Sequence, residues 1–355
     1  MNETLGFGII GTGRISDWVL QGAVLDPRFR AVAVCSRSAE KGASFAARHG
    51  IPLVFTDPDE MAASPAVQAV YIGTPNHTHC DLTLRCLSHG KPVLCEKPLA
   101  SNAVQARQMA DCARERGLLL MEAMISTLNP NFRKASDLLP RLGKVRHMSA
   151  SFCQYSSRFA QLRRILKGSG ESLPSSFNPH TSGGALMDIG VYTVWPLVAL
   201  FGKPLSVKAD LLTVDLPIPD PSRIDIQGSL TLSYPGMTAT AVYSKAADAF
   251  APTEICCEEG NLLLDKLHIC RRLSFIPHGA PASGRGTDPQ AEDISCPPFA
   301  DEYTAEITAF IDRVLTGEGP VNSVEDSVTV LEIMDEIRRQ GGIRFPDDPA
   351  EITEP

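Results

Sequence analysis

The stretch Leu5-Gly6-Phe7-Gly8-Ile9-Ile10-Gly11-Thr12-Gly13-Arg14-Ile15-Ser16 decides how this chain is read. A short apolar strand that runs into Gly-x-Gly-x-x-small and then an amphipathic segment is the entry of a dinucleotide-binding βαβ unit. Gly11 permits the tight turn, and Gly13 lets the backbone come close to a pyrophosphate. That anion would rest on the N–H groups opening the next helix, around Thr12, Arg14 and Ile15. Ser16 stands where a third glycine or alanine is usual. Glycine turns after buried strands are common, so the fingerprint draws its weight from the segments downstream of it.

Working outward, the first ~120 residues alternate short apolar strands with helical segments, the rhythm of a parallel α/β sheet. Strands are expected at 7–10, 31–35, 53–55, 69–72, 93–95 and 118–121. Ser38 can cap a helix over 39–49 that ends at Gly50; a helix over 77–88 stops before Gly90, and one over 103–116 closes at Gly117. Right-handed crossovers stack these as one doubly wound sheet, a Rossmann domain over 1–122. After Glu122 longer alternating runs appear at 145–155, 205–214, 225–234, 238–245 and 254–264, with turns at Tyr234-Pro235-Gly236 and Glu259-Gly260-Asn261. They predict an α+β domain over 123–355 with a large, open-faced, mostly antiparallel sheet. A helix over 185–201 interrupts it, 279–298 reads as an exposed loop, and helices over 305–315 and 324–339 finish the fold.

The 355 residues suffice for two cores. A net charge of −8 argues against nucleic acid as the main partner, which would favour a basic surface. No apolar run approaches the length of a membrane span, and Met1-Asn2-Glu3-Thr4 lacks the basic start and apolar centre of an export signal, so the cytoplasm is the expected location. None of the ten cysteines sits in a C-x-x-C pair, and they read as reduced thiols, most of them buried. His77-x-His79 lacks a third ligand at a supporting spacing, so no metal is expected.

The second strand ends Val34-Cys35-Ser36-Arg37-Ser38, with no carboxylate where a dinucleotide fold usually holds the adenosine ribose. Arg37 can hold a 2′-phosphate bidentately or stack on adenine, and Ser36 can donate to it. The alternative is a solvated loop arginine. This pattern favours NADP(H), with NAD(H) possible as a second cofactor. Two further segments stand where strands end, the place where ligands bind in open α/β sheets: Gly73-Thr74-Pro75-Asn76-His77-Thr78-His79 and Cys95-Glu96-Lys97-Pro98-Leu99. Proline after Lys97 denies the lysine helical geometry and fixes its exit; the bland reading is a surface lysine paired with Glu96. Further on, Ser182-Gly183-Gly184-Ala185-Leu186-Met187-Asp188-Ile189-Gly190-Val191-Tyr192 places Asp188 and Tyr192 four apart on one helical face. Gly190 leaves room for something to approach. Taken alone, that pair reads as a buried Asp–Tyr hydrogen bond.

Together these segments resemble the glucose–fructose oxidoreductase/inositol dehydrogenase (Gfo/Idh/MocA) family, and within it the branch of dimeric dihydrodiol dehydrogenases and NADP-dependent aldose dehydrogenases. The likeness covers nearly the whole chain. It rests on 11–16, Ser36-Arg37, Thr74-Pro75-Asn76 with His79, Glu96-Lys97-Pro98, and Gly183-Gly184 leading into Asp188 and Tyr192. The resemblance implies that Lys97 lies beside the nicotinamide and the substrate hydroxyl, often with a cis bond to Pro98, and that Asp188 and Tyr192 close the site from the other domain. Tyrosine at 192, where inositol dehydrogenases of the sugar type carry histidine, is the dihydrodiol-branch choice. That branch commonly follows its sixth strand with an aromatic, an arginine and a second aromatic. Here the segment is Glu122-Ala123-Met124-Ile125-Ser126-Thr127-Leu128-Asn129-Pro130, which lacks them and puts the branch's substrates in doubt.

The expected activity is hydride transfer between NAD(P) and a sugar, polyol or cyclic diol. Tyr192 is the expected acid/base, Lys97 supplies positive charge that favours its ionised form, and Asp188 orients the substrate or Lys97. Arg158 and His180 are weaker candidates for substrate contact. A nucleotide-binding sensor or co-repressor of the same fold, or an NAD-dependent glycosidase, are the alternatives. The second-domain sheet, with one face short of covering helices, is expected to form a homodimer or a higher homo-oligomer.

Overall fold

Six strands follow the expected rhythm in the computed structural model, which describes residues 3–278 and 290–350. They are β1 (Leu5–Ile10), β2 (Phe29–Cys35), β3 (Leu53–Phe55), β4 (Ala69–Ile72), β5 (Val93–Glu96) and β6 (Leu120–Ala123). All pair in parallel in the order β3-β2-β1-β4-β5-β6, the doubly wound arrangement whose order reverses between β1 and β4. β1, β4 and β5 are buried along their whole length, as strands covered on both faces must be. The helices between them are α1 (Arg14–Ala23), α2 (Ala39–His49), α3 (Pro58–Ala63), α4 (His79–Ser88) and α5 (Ala103–Arg116). Ser38 caps α2 by accepting from the Lys41 N–H, and Asn102 caps α5 by accepting from the Gln105 N–H.

Local boundaries moved where hydrogen bonds compete. The sixth strand begins at Leu120 rather than 118, because the Leu118 N–H is spent on the Ala113 carbonyl in ending α5. α4 begins at His79 rather than His77, because Asn76–Thr78 forms a tighter 3₁₀ turn closed by Thr78 N–H and Oγ1 on the Pro75 carbonyl. α3, capped by Asp57, was not anticipated.

The chain divides into two compact units, Met1–Leu128 with Phe299–Leu331 and Asn129–Pro298 with Glu332–Pro355. The expected boundary at 122 therefore differs from the observed division, and residues 299–331 return to the first unit. The reason is packing. α6 (Ile125–Leu128) and α7 (Pro130–Leu138) follow β6, α8 (Phe159–Ile165) and α9 (Val191–Phe201) belong to the second unit, and α10 (Thr304–Thr316) precedes α11 (Val324–Gln340). The apolar face of α10 carries Ile307, Phe310 and Ile311 into the β1 core, where Phe310 meets Phe7 at 5.7 Å between ring centroids. Arg28 pairs with Asp312 at 2.6 Å, and Thr308 donates to Asp26 at 2.9 Å.

The second unit is built on an eight-stranded sheet. Its strands are β7 (Val145–Cys153), β8 (Ser206–Asp215), β9 (Arg223–Tyr234), β10 (Met237–Ser244), β11 (Thr253–Cys257), β12 (Gly260–Leu264), β13 (Leu273–Pro277) and β14 (Glu292–Asp293). They lie in the order β14-β13-β12-β11-β7-β10-β9-β8, antiparallel except for β7 against β10. The run at 254–264 is a hairpin of two strands rather than one, and β13 and β14 were not anticipated. Residues 279–289 of the expected loop lie outside the described residues; 290–298 are irregular apart from β14.

One sheet face is buried and the other open, as alternation predicts. The open face is largely polar: Ser229, Thr231, Thr238 and Thr240 are exposed, with Ser149, Ser151 and Val242 half-buried beside them. One helical stretch, Pro179–Phe201, is long and apolar enough to cross a membrane, which corrects the expectation that no run approaches that length. Most of it is buried, the signature of a core helix.

Candidate active site

In the first unit the candidate residues gather where the strands end. The β1–α1 turn lies against the turn after β4: a Cβ at Gly11, whose φ is +107°, would fall 2.4 Å from the Gly73 carbonyl oxygen. Only glycine fits there. Ser16 is fully buried with its hydroxyl close to Gly73, so the small third position serves helix–strand packing. Gly13, the N-cap of α1, is exposed, and a Cβ there would meet nothing within 4 Å. α1 also carries no side-chain cap, whereas α2, α3, α5 and α7 are each capped by a side-chain oxygen. An open, uncapped helix N-terminus leaves its N–H groups and the positive end of the helix dipole for an anion. Thr12 and Ile15 are half-buried beside it, and Arg14 lies over the Trp18 ring at 5.5 Å.

At the end of β2, Ser36 is half-buried and Arg37 exposed. The Arg37 guanidinium makes no hydrogen bond or ion pair among the described residues. Thr74 bonds Thr78 through their hydroxyls at 2.7 Å, Pro75 is exposed and Asn76 half-buried.

His79 is wholly buried, and its ring spans two turns: Nδ1 lies 3.0 Å from the Pro98 carbonyl and Nε2 2.8 Å from the Thr74 carbonyl. Burial draws its pKa down, against the two carbonyls, which favour the charged form. The ring lies within hydrogen-bond reach of both carbonyls and a neutral imidazole donates to one of them, so His79 links the turns after β4 and β5. Lys97, half-buried at the end of β5, is joined to Pro98 by a cis peptide bond. Behind it Glu96 accepts from the Tyr71 hydroxyl at 2.8 Å and from the Lys97 N–H at 3.3 Å.

Burial pushes the Glu96 carboxyl up to about 7, with the Lys97 charge opposing. Two further carboxyls are buried in the same unit. Glu122 accepts from the Leu99 N–H at 3.0 Å, while neither oxygen of Glu306 has a hydrogen-bond partner among the described residues. Burial first, then the nearness of Glu96 and Glu122, raise the Glu306 carboxyl well above the carboxylate range. The segment 123–129, where an aromatic wall was missing from the sequence, is buried throughout; Thr127 donates to Asn322 at 2.6 Å.

In the second unit the candidates lie on one helical face. Residues 186–190 form a π-turn that leads into α9, and from Ala185 to Val198 only Asp188 and Tyr192 are not fully buried. They share the accessible face, as their spacing predicted. Single π-turns recur at functional sites. Two buried groups from the sheet hold this turn. Asp225 on β9 accepts the Leu186 N–H at 2.7 Å, and its Oδ1 occupies the space a Cβ at Gly184 would need, 2.5 Å away. Burial raises its carboxyl to about 6. Lys245, just beyond β10, forms an ion pair with Asp188.

Tyr192 packs edge-on against Phe152 at 5.5 Å and His268 at 6.2 Å, and His268 stacks flat on Phe152 at 3.8 Å. Gly190 is no ligand opening: the Tyr243 ring fills the space beside it, 3.1 Å from where a Cβ would stand. Arg158 is exposed at the start of α8, and His180 is exposed with Nε2 3.3 Å from the Pro219 carbonyl. Lys245, Asp225 and His268 were missed in the sequence. Asp225 and Lys245 lie 39 and 57 residues from their partners, beyond any local pattern; the one available signal was a lysine closing an alternating strand.

A doubly wound parallel sheet with an open anion cradle, followed by a unit whose broad sheet carries an Asp/Tyr helix face, defines a two-unit nucleotide-dependent oxidoreductase. Residues 5–124 match the GFO/IDH/MocA oxidoreductase family with its NAD-binding Rossmann fold, and residues 132–263 match the GFO/IDH/MocA C-terminal domain. The chain belongs to this family. It is 39% identical over 346 residues to a scyllo-inositol 2-dehydrogenase (NADP(+)), IolU, of Bacillus subtilis strain 168, covering 97% of this chain and 99% of the relative. It is 28% identical to a trans-1,2-dihydrobenzene-1,2-diol dehydrogenase of Xenopus laevis, covering 96% and 99%. Among solved structures it resembles a 3-ketoreductase from Actinomadura kijaniata in complex with NADP and TDP-benzene, with a TM-score of 0.75 and 26% identity, covering 98% and 100%.

Proposed function

We propose that this chain is an NADP(H)-dependent dehydrogenase that interconverts a secondary hydroxyl of a ring polyol, sugar or cyclic diol with its carbonyl. The substrate class rests on the 39% identity to an inositol dehydrogenase across nearly the whole chain. One observation carries the cofactor choice: an uncapped, open α1 N-terminus in the same unit as an exposed Arg37 guanidinium that has no partner among the described residues. The first suits a pyrophosphate and the second a 2′-phosphate.

The bound nicotinamide supplies the hydride acceptor. In this reading the N–H groups around Gly13 bind the pyrophosphate, while Ser36 and Arg37 bind the 2′-phosphate. The turns of Thr74, Pro75 and Asn76 and of Glu96-Lys97, stapled by His79, form the floor. Tyr192 takes the proton from the substrate oxygen, Lys97 steadies the developing negative charge, and Asp188 accepts from a neighbouring hydroxyl. Burial of Glu96 behind Lys97 limits how much negative charge opposes the lysine.

The test is NADP⁺ and NAD⁺ reduction across inositols, aldoses and cyclic diols, for wild type and Arg37→Ala. Ring-polyol oxidation with NADP⁺ is expected. Loss of a charge-assisted contact worth roughly 1.5–3 kcal/mol should cut the NADP⁺ preference by about tenfold or more. A wild type that turns over none of these substrates sinks the reading, and equal loss for both cofactors would assign Arg37 to adenine stacking instead.

We also propose a cytoplasmic homodimer joined through the open sheet face of the second unit. All ten cysteines are free thiols, which suits a reducing compartment. The ladder of Ser149, Thr231 and Thr240 has side chains small enough for a second sheet to lie close. A monomer mass by light scattering at high protein concentration would overturn the dimer.

A further inference from the structure

We infer that Lys245 is a positioning residue for the substrate-facing carboxylate, acting through Asp188; the inference rests on the polyol dehydrogenase reading. The two side chains of this ion pair are unequally placed. That of Lys245 is 3% exposed and that of Asp188 is 38% exposed, so the cation lies beneath the carboxylate it holds.

Everything around Lys245 fixes it in place. Its ammonium sits 4.3 Å from the centre of the Phe177 ring and 3.4 Å from the Ser176 carbonyl. Its backbone is tied on both sides, the N–H donating to the Ile226 carbonyl at 2.9 Å and the C=O accepting from the Ser156 N–H at 2.9 Å. The other acidic group facing it is Asp225, whose carboxylate already accepts the Leu186 N–H that opens the turn carrying Asp188. Lys245 therefore reaches from the sheet to the one acidic side chain on the accessible helix face.

An ion pair with one partner buried and the other open to solvent contributes little net stability, so stability does not explain why it is here. Geometry offers a reason. With one oxygen anchored on the ammonium, the Asp188 carboxylate is held in place at the accessible face. It can then accept from a hydroxyl next to the one being oxidised. A vicinal polyol supplies such a neighbouring donor; a substrate with a single hydroxyl does not.

The experiment compares Lys245→Met, Lys245→Arg, Asp188→Asn and the double variant Lys245→Met/Asp188→Asn in the full-length protein. Steady-state kinetics are run with NADP⁺ and an inositol, and inositol binding to the NADP⁺-loaded protein is followed by calorimetry. Lys245→Met is expected to raise the inositol KM and Kd roughly tenfold to a hundredfold, the range of a charge-assisted hydrogen bond, with the KM for NADP⁺ within about twofold of wild type. Lys245→Arg should recover part of the loss because it keeps a cation. The double variant should be no worse than Asp188→Asn, since residues that act as one unit are not additive.

Wild-type inositol KM and Kd in Lys245→Met, or losses that add in the double variant, overturn the inference. A wild type that binds an inositol but oxidises no inositol, aldose or cyclic diol sinks the dehydrogenase reading alone, and the Kd values still test Lys245. A wild type that neither binds nor oxidises any inositol, aldose or cyclic diol overturns both.

Discussion

Lys97→Met is expected to lower kcat by roughly 10²–10⁴-fold, the contribution typical of a group that assists proton transfer, while the protein folds and binds NADP⁺ as before. Methionine keeps the length and much of the apolar stem, so the half-buried position after β5 remains filled. What disappears is the ammonium. Its loss also removes the positive charge that opposes the burial-raised carboxyl of Glu96, so Glu96 in the variant should hold its proton to higher pH still. The fold should tolerate this, because a protonated Glu96 keeps its oxygens for the Tyr71 hydroxyl and the backbone N–H. Stopped-flow single-turnover kinetics beside cofactor fluorescence titration check it. A variant that turns over at the wild-type rate removes Lys97 from the chemistry, and one that loses NADP⁺ binding moves its role to the cofactor.

Tyr192→Phe should cost a similar factor, roughly 10²–10⁴-fold in kcat, with melting temperature and NADP⁺ affinity unchanged. The prediction is sharp because the substitution is local. The ring's edge-on contacts with Phe152 and His268 survive in phenylalanine, and only the hydroxyl is lost. Packing energy is therefore held constant while the proposed proton acceptor is deleted. A fall in melting temperature would mean the hydroxyl is structural. A rate within a few-fold of wild type would pass the acid/base role to another group, and His268, stacked on the same Phe152, would be the first to test.

The two halves of the site differed in how legible they were. In the first unit nearly every candidate could be read from the chain, because a dinucleotide cradle is made of short turns directly after strands. The Gly11–Gly13 turn, the Ser36-Arg37 strand end and the Glu96-Lys97-Pro98 exit are each local, and each carries its backbone requirement in the identity of its residues. The structure added their connections: His79 stapling the turns at Thr74 and Pro98, and Tyr71 beneath Glu96. The start of β6 and the start of α4 shifted by two residues, where a helix terminus and a tight turn claimed the N–H groups.

Periodicity and turn chemistry in the sequence determined the parallel sheet, the helices with their caps, the alternating second sheet and the pairing of Asp188 with Tyr192 on one face. Only the tertiary structure decided where α10 belongs, since an amphipathic helix declares that it must bury a face but not against what; Phe7 and Asp26 answered that. It likewise decided that Gly190 makes room for Tyr243 rather than a ligand, that Glu306 is buried against other carboxyls, and that Lys245 and Asp225 stand behind the helix face. These are contacts between residues tens or hundreds of positions apart, and the energy that selects them comes from burial and charge pairing across the fold, which no spacing along the chain records.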